Sequence, residues 1–247
     1  MKVRVMRIAV SCLTSVYEGL VYFLSLSLPV LCIYHFRSLP ILLLLGMAIV
    51  GFSFAGLVFL LLLVATKRFL IGSLATGNIP VESKNGQKWF LAVMLIAILY
   101  RSPFHSMTVG ISLLASWFFR GMGARMPEST FLGLDTVVKD PWFLEMGKHV
   151  STGSGVLILG HITYDKGLFL GKVVVGDGVV IGVRSTIFPD VRIGNYAKIG
   201  AGSVVVRGTR IPDGETWAGV PARKLQRSTE HAGQPQPTNC AAAAVAS

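Results

Sequence analysis

Apolar residues run almost unbroken through residues 8–33 and again through 39–66, LPILLLLGMAIVGFSFAGLVFLLLLVAT. A helix needs about 20 such residues to cross a bilayer, so each run predicts a membrane-spanning helix. The first run is too long for a cleaved leader, and a second follows it almost at once. A third apolar region, 89–119, is interrupted. Trp89 to Tyr100 is too short to span alone, Arg101, Pro103 and His105 break the pattern, and Met107 to Phe119 is apolar again. Proline bounds helices through the residue before it. The region reads either as one broken span or as two helices that dip in and out, and the re-entrant or interfacial reading is preferred.

The pattern then changes period. Val175, Ile181, Ile187, Ile193, Ile199, Val205 and Ile211 follow one another every six residues. Two positions before each stands a small or β-branched residue: Val173, Val179, Ser185, Val191, Ala197, Ser203 and Thr209. A helix repeats its apolar face every three or four residues. A six-residue beat instead predicts short extended pieces joined by turns, the mark of a β-helix. Glycine after the aliphatic position, as at Gly176, Gly182, Gly194 and Gly200, is expected to supply backbone freedom at the turns. No single coil buries its own core, so only the stack is stable. Upstream, Met146, Thr152 and Ile158 keep the spacing, and Met126 and Leu132 are expected to begin the helix. From Ile158 to Val175 is seventeen residues, so the register is expected to shift within LILGHITYDKGLFLGK, Leu157 to Lys172.

Composition divides the chain the same way. Residues 1–119 hold nine Lys and Arg against two acids, whereas residues 120–225 hold thirteen against nine. The formal charge of +11 therefore belongs mostly to the apolar half. It reads as membrane orientation, and no DNA- or RNA-presenting basic element is visible, so no nucleic-acid partner is expected. Lys2, Arg4 and Arg7 precede the first span, Lys67, Arg68, Lys84 and Lys88 follow the second, and Arg37 lies between. Both ends of the pair are expected on the cytoplasmic side. Cys12, Cys32 and Cys240 form no metal spacing and no disulfide framework. The expected organisation is a membrane region over 1–119, a β-helix over 120–225 with an excursion near 161–174, and a disordered tail over 226–247.

Two residues stand out chemically. Glu18 lies inside the first apolar run, where a carboxylate serves either function or a structural partner. His161 lies at the register break, and a loop histidine of no chemical consequence is the alternative there. His149 reads as a turn residue, and no metal site is expected.

The segment from Val175 to Lys224, with AGSVVV and WAGVPARK at its end, resembles the hexapeptide-repeat acyltransferases. The resemblance covers Gly123 to Leu225. It implies a left-handed parallel β-helix, so that with the apolar runs the expected fold class is N-terminal transmembrane helices followed by an all-β left-handed parallel β-helix. A narrower resemblance, to the C-terminal membrane-plus-hexapeptide modules of nonribosomal-peptide-synthetase-like proteins of the poly-lysine synthetase type, rests on WFFRGMGARM, FLGLDTVVKDPWFLEMG and the His-containing segment, in that order.

The wider resemblance implies His161 as general base, taking a proton from an acceptor hydroxyl or amine. Histidine suits the task because it exchanges protons near neutral pH. Asp165 is the expected partner of His161, with Tyr164 as a further polar neighbour. Ala201, Gly202, Ser203, Gly219, Val220, Pro221 and Ala222 are expected to line acetyl-CoA or another acyl-CoA, used as cosubstrate with no tightly bound cofactor. Arg223 and Lys224 would meet its phosphates, with Lys198 and Arg207 as further basic candidates. A homotrimer or a membrane-protein partner is implied. Phe188 and Asp190 depart from the family's usual turn residues, and aspartate tolerates the left-handed conformation such a turn needs. The reading is a membrane-bound acyltransferase acting on a sugar, lipid-linked or small-molecule acceptor. The alternatives are a module forming amides or esters from a carrier-bound thioester, or a noncatalytic membrane assembly module.

Overall fold

The six-residue beat closes into three faces. In the computed structural model, which describes residues 2–164 and 167–225 (side chains from Ser15 onward), the chain begins with α1 (Lys2–His35) and α2 (Ile41–Thr66). A π-helical turn, Lys67–Ile71, a short strand β1 (Gly77–Ile79) and α3 (Lys84–Arg101) follow. Next come α4 (His105–Gly110) and α5 (Ser112–Met122). The coils begin with β2 (Val137–Val138), a 3-10 turn at Pro141–Phe143, β3 (Leu144–Met146), β4 (Ser151–Thr152) and β5 (Leu157–Ile158). The excursion holds β6 (His161–Tyr164) and β7 (Gly167–Leu170). The stack resumes with β8 (Val173–Val175), β9 (Val180–Ile181), β10 (Thr186–Ile187) and β11 (Val191–Ile193). It ends with β12 (Lys198–Ile199), β13 (Val204–Val205), β14 (Arg210–Ile211), β15 (Thr216–Gly219) and β16 (Ala222–Lys224). The tail expected to be disordered lies outside the described residues, as do the side chains of Lys2, Arg4 and Arg7.

One face is β3–β8–β11–β14, the second β4–β9–β12–β15 and the third β2–β5–β10–β13, all in parallel register. The inward residues form columns: Met146, Val175, Ile193 and Ile211 on the first face, and Val138, Ile158, Ile187 and Val205 on the third. All eight are at most 5% exposed, and each fully buried aliphatic side chain stabilises the stack by roughly 1.5–3 kcal/mol. Isolated bridges from Arg125 to Glu145 and from Phe131 to Ser151 place Met126 and Leu132 at the head of two columns.

One sequence expectation changes here. Glycine after the aliphatic position is required for space rather than for freedom. A Cβ on Gly182 would stand 2.5 Å from the backbone nitrogen of Ala201 in the next coil. The left-handed backbone falls two residues later, and non-glycine residues adopt it: Arg184, Asp190 and Tyr196 have φ of 55°, 59° and 57°. The register shift expected between Ile158 and Val175 is found, and it comes from a hairpin that leaves the stack. Ile158 stacks on Ile187, and Val175 on Met146, so the two lie on successive faces. Seventeen is one six-residue step plus an eleven-residue insertion, and the stack is rejoined at Val173.

Two helices are long and apolar enough to cross a membrane, Ser15–His35 and Ile41–Ile71. Their flanks carry exposed large hydrophobics such as Phe23, Leu42 and Ile49, a surface that suits lipid rather than water. Tyr17 Oη lies 2.6 Å from Thr66 Oγ1, which sets the start of the first apolar segment beside the end of α2. Glu18 forms an ion pair of 2.6 Å with Arg101 at the end of α3, which gives the carboxylate a structural partner. Of the three span glycines, Gly51 abuts Pro29 and Gly56 abuts Phe104 and Met107, whereas Gly46 has no close neighbour.

The third apolar region is three helices. Ser83 caps α3 by accepting a hydrogen bond from the Gly86 N–H, and the chain is extended at Ser102, before Pro103. α5 ends at Gly123, in the left-handed conformation. Buried residues of α2, α3 and α5 share one continuous core with the coils. Tyr100 Oη donates to the Val138 carbonyl and accepts from the Val138 N–H, which ties α3 to the first strand of the third face. Burial pushes the Tyr100 phenol far above its ordinary pKa, so the hydroxyl stays neutral and serves both bonds.

Candidate active site

The edge between the third and first faces is where the coils depart from eighteen residues. The first complete coil has twenty, Arg125 to Glu145, because the 3-10 turn Pro141–Phe143 is inserted there. The next has twenty-nine, Met146 to Val175, because the β6–β7 hairpin is inserted at the same edge. Later coils have eighteen, as from Val175 to Ile193. Since Val138 lies under Ile158, two insertions at one edge bring Asp140 beside His161.

His161 Nδ1 is 2.6 Å from Asp140 Oδ2. The Asp140 side chain is fully buried and accepts two more hydrogen bonds, from the Gly160 N–H at 2.9 Å and from Trp89 Nε1 at 2.8 Å. The Trp89 ring meets the imidazole edge-on, centroids 4.8 Å apart. An ionised carboxylate only accepts, so Nδ1 is assigned the proton and Nε2 carries the lone pair. The His161 side chain is 20% exposed, and its Nε2 has no hydrogen-bond partner among the described residues. The arrangement can draw a proton from a bound hydroxyl or amine, and the resulting imidazolium would stand against a buried carboxylate.

Asp165, the expected partner, lies outside the described residues, and the acid at Nδ1 is Asp140. Tyr164 lies three residues along the strand from His161, hence on the opposite side of it. Its hydroxyl donates to Asn78 Oδ1 at 3.1 Å. His149 has φ 56° at a coil corner, as a turn residue should. Asp140 and Trp89 escaped the sequence reading. Their separations from His161 are 21 and 72 residues, and neither sits on the beat. DPWF did stand out as part of the narrower resemblance, and the twenty-residue coil would have flagged it.

The hairpin carrying His161 is held by the N-terminal half. β1 pairs antiparallel with β7, which aligns Gly77 with Leu170 and, through it, with His161. Ile79, Trp89, Phe143, Leu168 and Leu170 form a separate apolar cluster beneath the hairpin. Arg207 lies over the Phe169 ring, 3.4 Å from its centroid.

The expected cosubstrate residues gather at the other edge of the third face. Ser203 Oγ accepts from the Gly219 N–H at 3.2 Å, which joins 201–203 to the turn between β15 and β16. Gly219, Val220 and Pro221 are exposed there, while Ser203 and Ala222 are buried. Lys224 pairs with Glu215, holding that carboxyl below its ordinary pKa, with help from the Trp217 indole. Arg223 is exposed, and among the described residues its guanidinium meets only the Ala222 carbonyl. Between the two edges, the outward residues of the face are Val137, Leu157, Thr186 and Val204, an apolar strip. Among the described residues no three His, Cys, Asp or Glu side chains form a group that could hold a metal.

Residues 172–207 match the family model described as "Bacterial transferase hexapeptide (six repeats)". The chain is 34% identical over 90 residues to "Putative acetyltransferase YvoF" of Bacillus subtilis (strain 168), covering 36% of this chain and 51% of that one. It is 29% identical over 101 residues to "Gamma carbonic anhydrase 2, mitochondrial" of Arabidopsis thaliana, covering 40% and 36%. The chain thus spans about half or less of these relatives' length. Among solved structures it is similar to a maltose O-acetyltransferase from Clostridium difficile 630, with a TM-score of 0.47 and 16% identity, covering 62% of this chain and 93% of that one.

Proposed function

We propose that the protein is a membrane-bound acyltransferase that moves an acetyl or related acyl group from acyl-CoA to a hydroxyl or amine, with His161 as general base and Asp140 as its orienting acid. The observation that carries this reading is the His161–Asp140 pair, with Nε2 unpartnered among the described residues, at the edge where the hexapeptide stack is twice interrupted. The transferase family match and the YvoF likeness support the class of reaction.

In the proposed step, Nε2 takes the proton from the acceptor as its oxygen or nitrogen attacks the thioester carbon. The tetrahedral oxyanion collapses, the C–S bond breaks, and the leaving thiolate recovers the proton from the imidazolium. The donor lies along the apolar strip, its thioester toward His161 and its phosphates toward Arg223. Neighbouring copies packed against this strip, where Val183 and Val220 are exposed, would build a homotrimer of three chains. The positive flanks at Lys67, Arg68 and Lys84 support a β-helix on the cytoplasmic side. A carrier-bound thioester would use the same pair.

The test is full-length protein in lipid, incubated with labelled acetyl-CoA and a membrane extract, beside His161→Ala. Label is expected to reach an acceptor only with the native protein. Equal transfer by both would sink His161 as the base, and failure to bind CoA would overturn the free-CoA donor.

A further inference from the structure

Lys67 is buried at the C-terminal end of the second apolar helix, 6% exposed. Its ammonium has three N–H groups, yet among the described residues it makes one hydrogen bond, to the Gly72 carbonyl at 2.6 Å. No carboxylate pairs with it among the described residues. Its Nζ lies 5.8 Å from the centroid of the Trp142 ring, and the Trp142 indole N–H is itself buried with no acceptor. A buried cation without a counter-charge and a buried donor without an acceptor are each costly. Side by side, both costs are relieved by a single oxyanion.

The surroundings indicate which oxyanion. The helix that ends here is apolar over Ile41–Ile71, with exposed Leu57, Leu61, Phe69 and Leu70 along it and exposed Arg68 beside Lys67. Phosphates of membrane amphiphiles lie at such a level, and lysine binds phosphate as a point charge. Trp142 is two residues from Asp140, at most about 7 Å along the chain. The Gly72–Thr76 segment beside Lys67 leads directly into β1, which braces the His161 hairpin.

We infer that Lys67 and the Trp142 indole N–H form a binding site for the phosphate of a membrane amphiphile, which serves as the acyl acceptor. The acceptor role rests on the acyltransferase reading; the phosphate site does not. With the phosphate held there, the amphiphile's apolar part lies along α2 and its reactive end extends past the 3-10 turn toward His161.

The test uses full-length protein carrying 15N-labelled indoles, in dodecyl maltoside micelles, titrated with dodecyl phosphate, inorganic phosphate or dodecanol. The chain has four tryptophans, so the Trp142 signal is identified by its loss in Trp142→Phe. Dodecyl phosphate is expected to move that signal saturably, with inorganic phosphate at least tenfold weaker and dodecanol without effect. Lys67→Met should weaken the response at least tenfold, while Lys67→Arg keeps it within about threefold and so controls for folding. No shift, the same shift with dodecanol, or an unchanged response in Lys67→Met would overturn the site. Equal binding of inorganic phosphate would overturn the amphiphile. His161→Ala should keep the shift, so the acyltransferase reading can fail without it, and it can fail without the acyltransferase reading.

Discussion

Asp140 and His161 stand 2.6 Å apart because two coils of different length are both lengthened at the same edge of the stack. The carboxylate belongs to a tight 3-10 insertion and the imidazole to the first residue of a hairpin. The third donor to that carboxylate, Trp89, comes from α3. The pair is therefore assembled by three segments, and each can be tested separately.

Asp140→Asn should lower kcat by roughly 10²–10⁴-fold, because an amide no longer enforces the proton on Nδ1. The variant keeps side-chain volume and can still accept from Trp89. A kcat within threefold of the native value, in protein of normal circular dichroism, would show that the acid does not act through His161.

Trp89→Phe removes one donor to a buried carboxylate while keeping an aromatic ring beside His161. A loss of about 1.5–3 kcal/mol of stability is expected, read by thermal unfolding in detergent. KM for the acyl donor should hold while kcat falls. A change in KM alone would place Trp89 in donor binding instead.

Arg223→Ala should raise KM for acyl-CoA by roughly tenfold, about 1.4 kcal/mol of lost interaction, with kcat little changed. Lys224→Ala should do much less, because its ammonium is already paired with Glu215. The reverse order in steady-state kinetics would reassign the phosphate contact.

Gly182→Val places side-chain atoms against the backbone of the next coil, 2.5 Å from Ala201 N at the Cβ alone. Overpacking of this kind costs about 1–3 kcal/mol or more, and a lowered melting temperature checks it. Arg184→Gly, at a left-handed corner with open space outside, should cost little by the same measurement.

Lys172 holds the Glu145 carboxyl below its ordinary pKa through a 2.7 Å hydrogen bond. A lowered folded-state value adds stability that is complete above the unfolded pKa, about 4.3, and fades as pH falls through the folded one. Lys172→Met should therefore be slightly less stable than the native protein at pH 7, by under about 1 kcal/mol for a pair this exposed. The difference should shrink as the pH falls below about 4.3 and through the lowered folded-state value. A difference that persisted unchanged over that fall would assign the effect to packing.

Periodicity along the chain was enough to determine the columns of Val, Ile and Met, the three-faced stack they imply, and two apolar helices. Each of these follows from residues within one or two repeats, because burial imposes the same choice at every coil. It also located His161, as the point where the beat stops. The rest depended on lateral neighbours. Glycine after four of the seven aliphatic residues looked like a turn device, and only the adjacent coil revealed that it answers a lack of space. Asp140 and Trp89 reach His161 across the stack and from α3, through contacts that leave no period in the sequence. Glu18 likewise acquired its partner, Arg101, only when α1 packed against α3. A repeat fixes what must be buried, but an insertion is free to point anywhere, and tertiary packing alone decides what it meets.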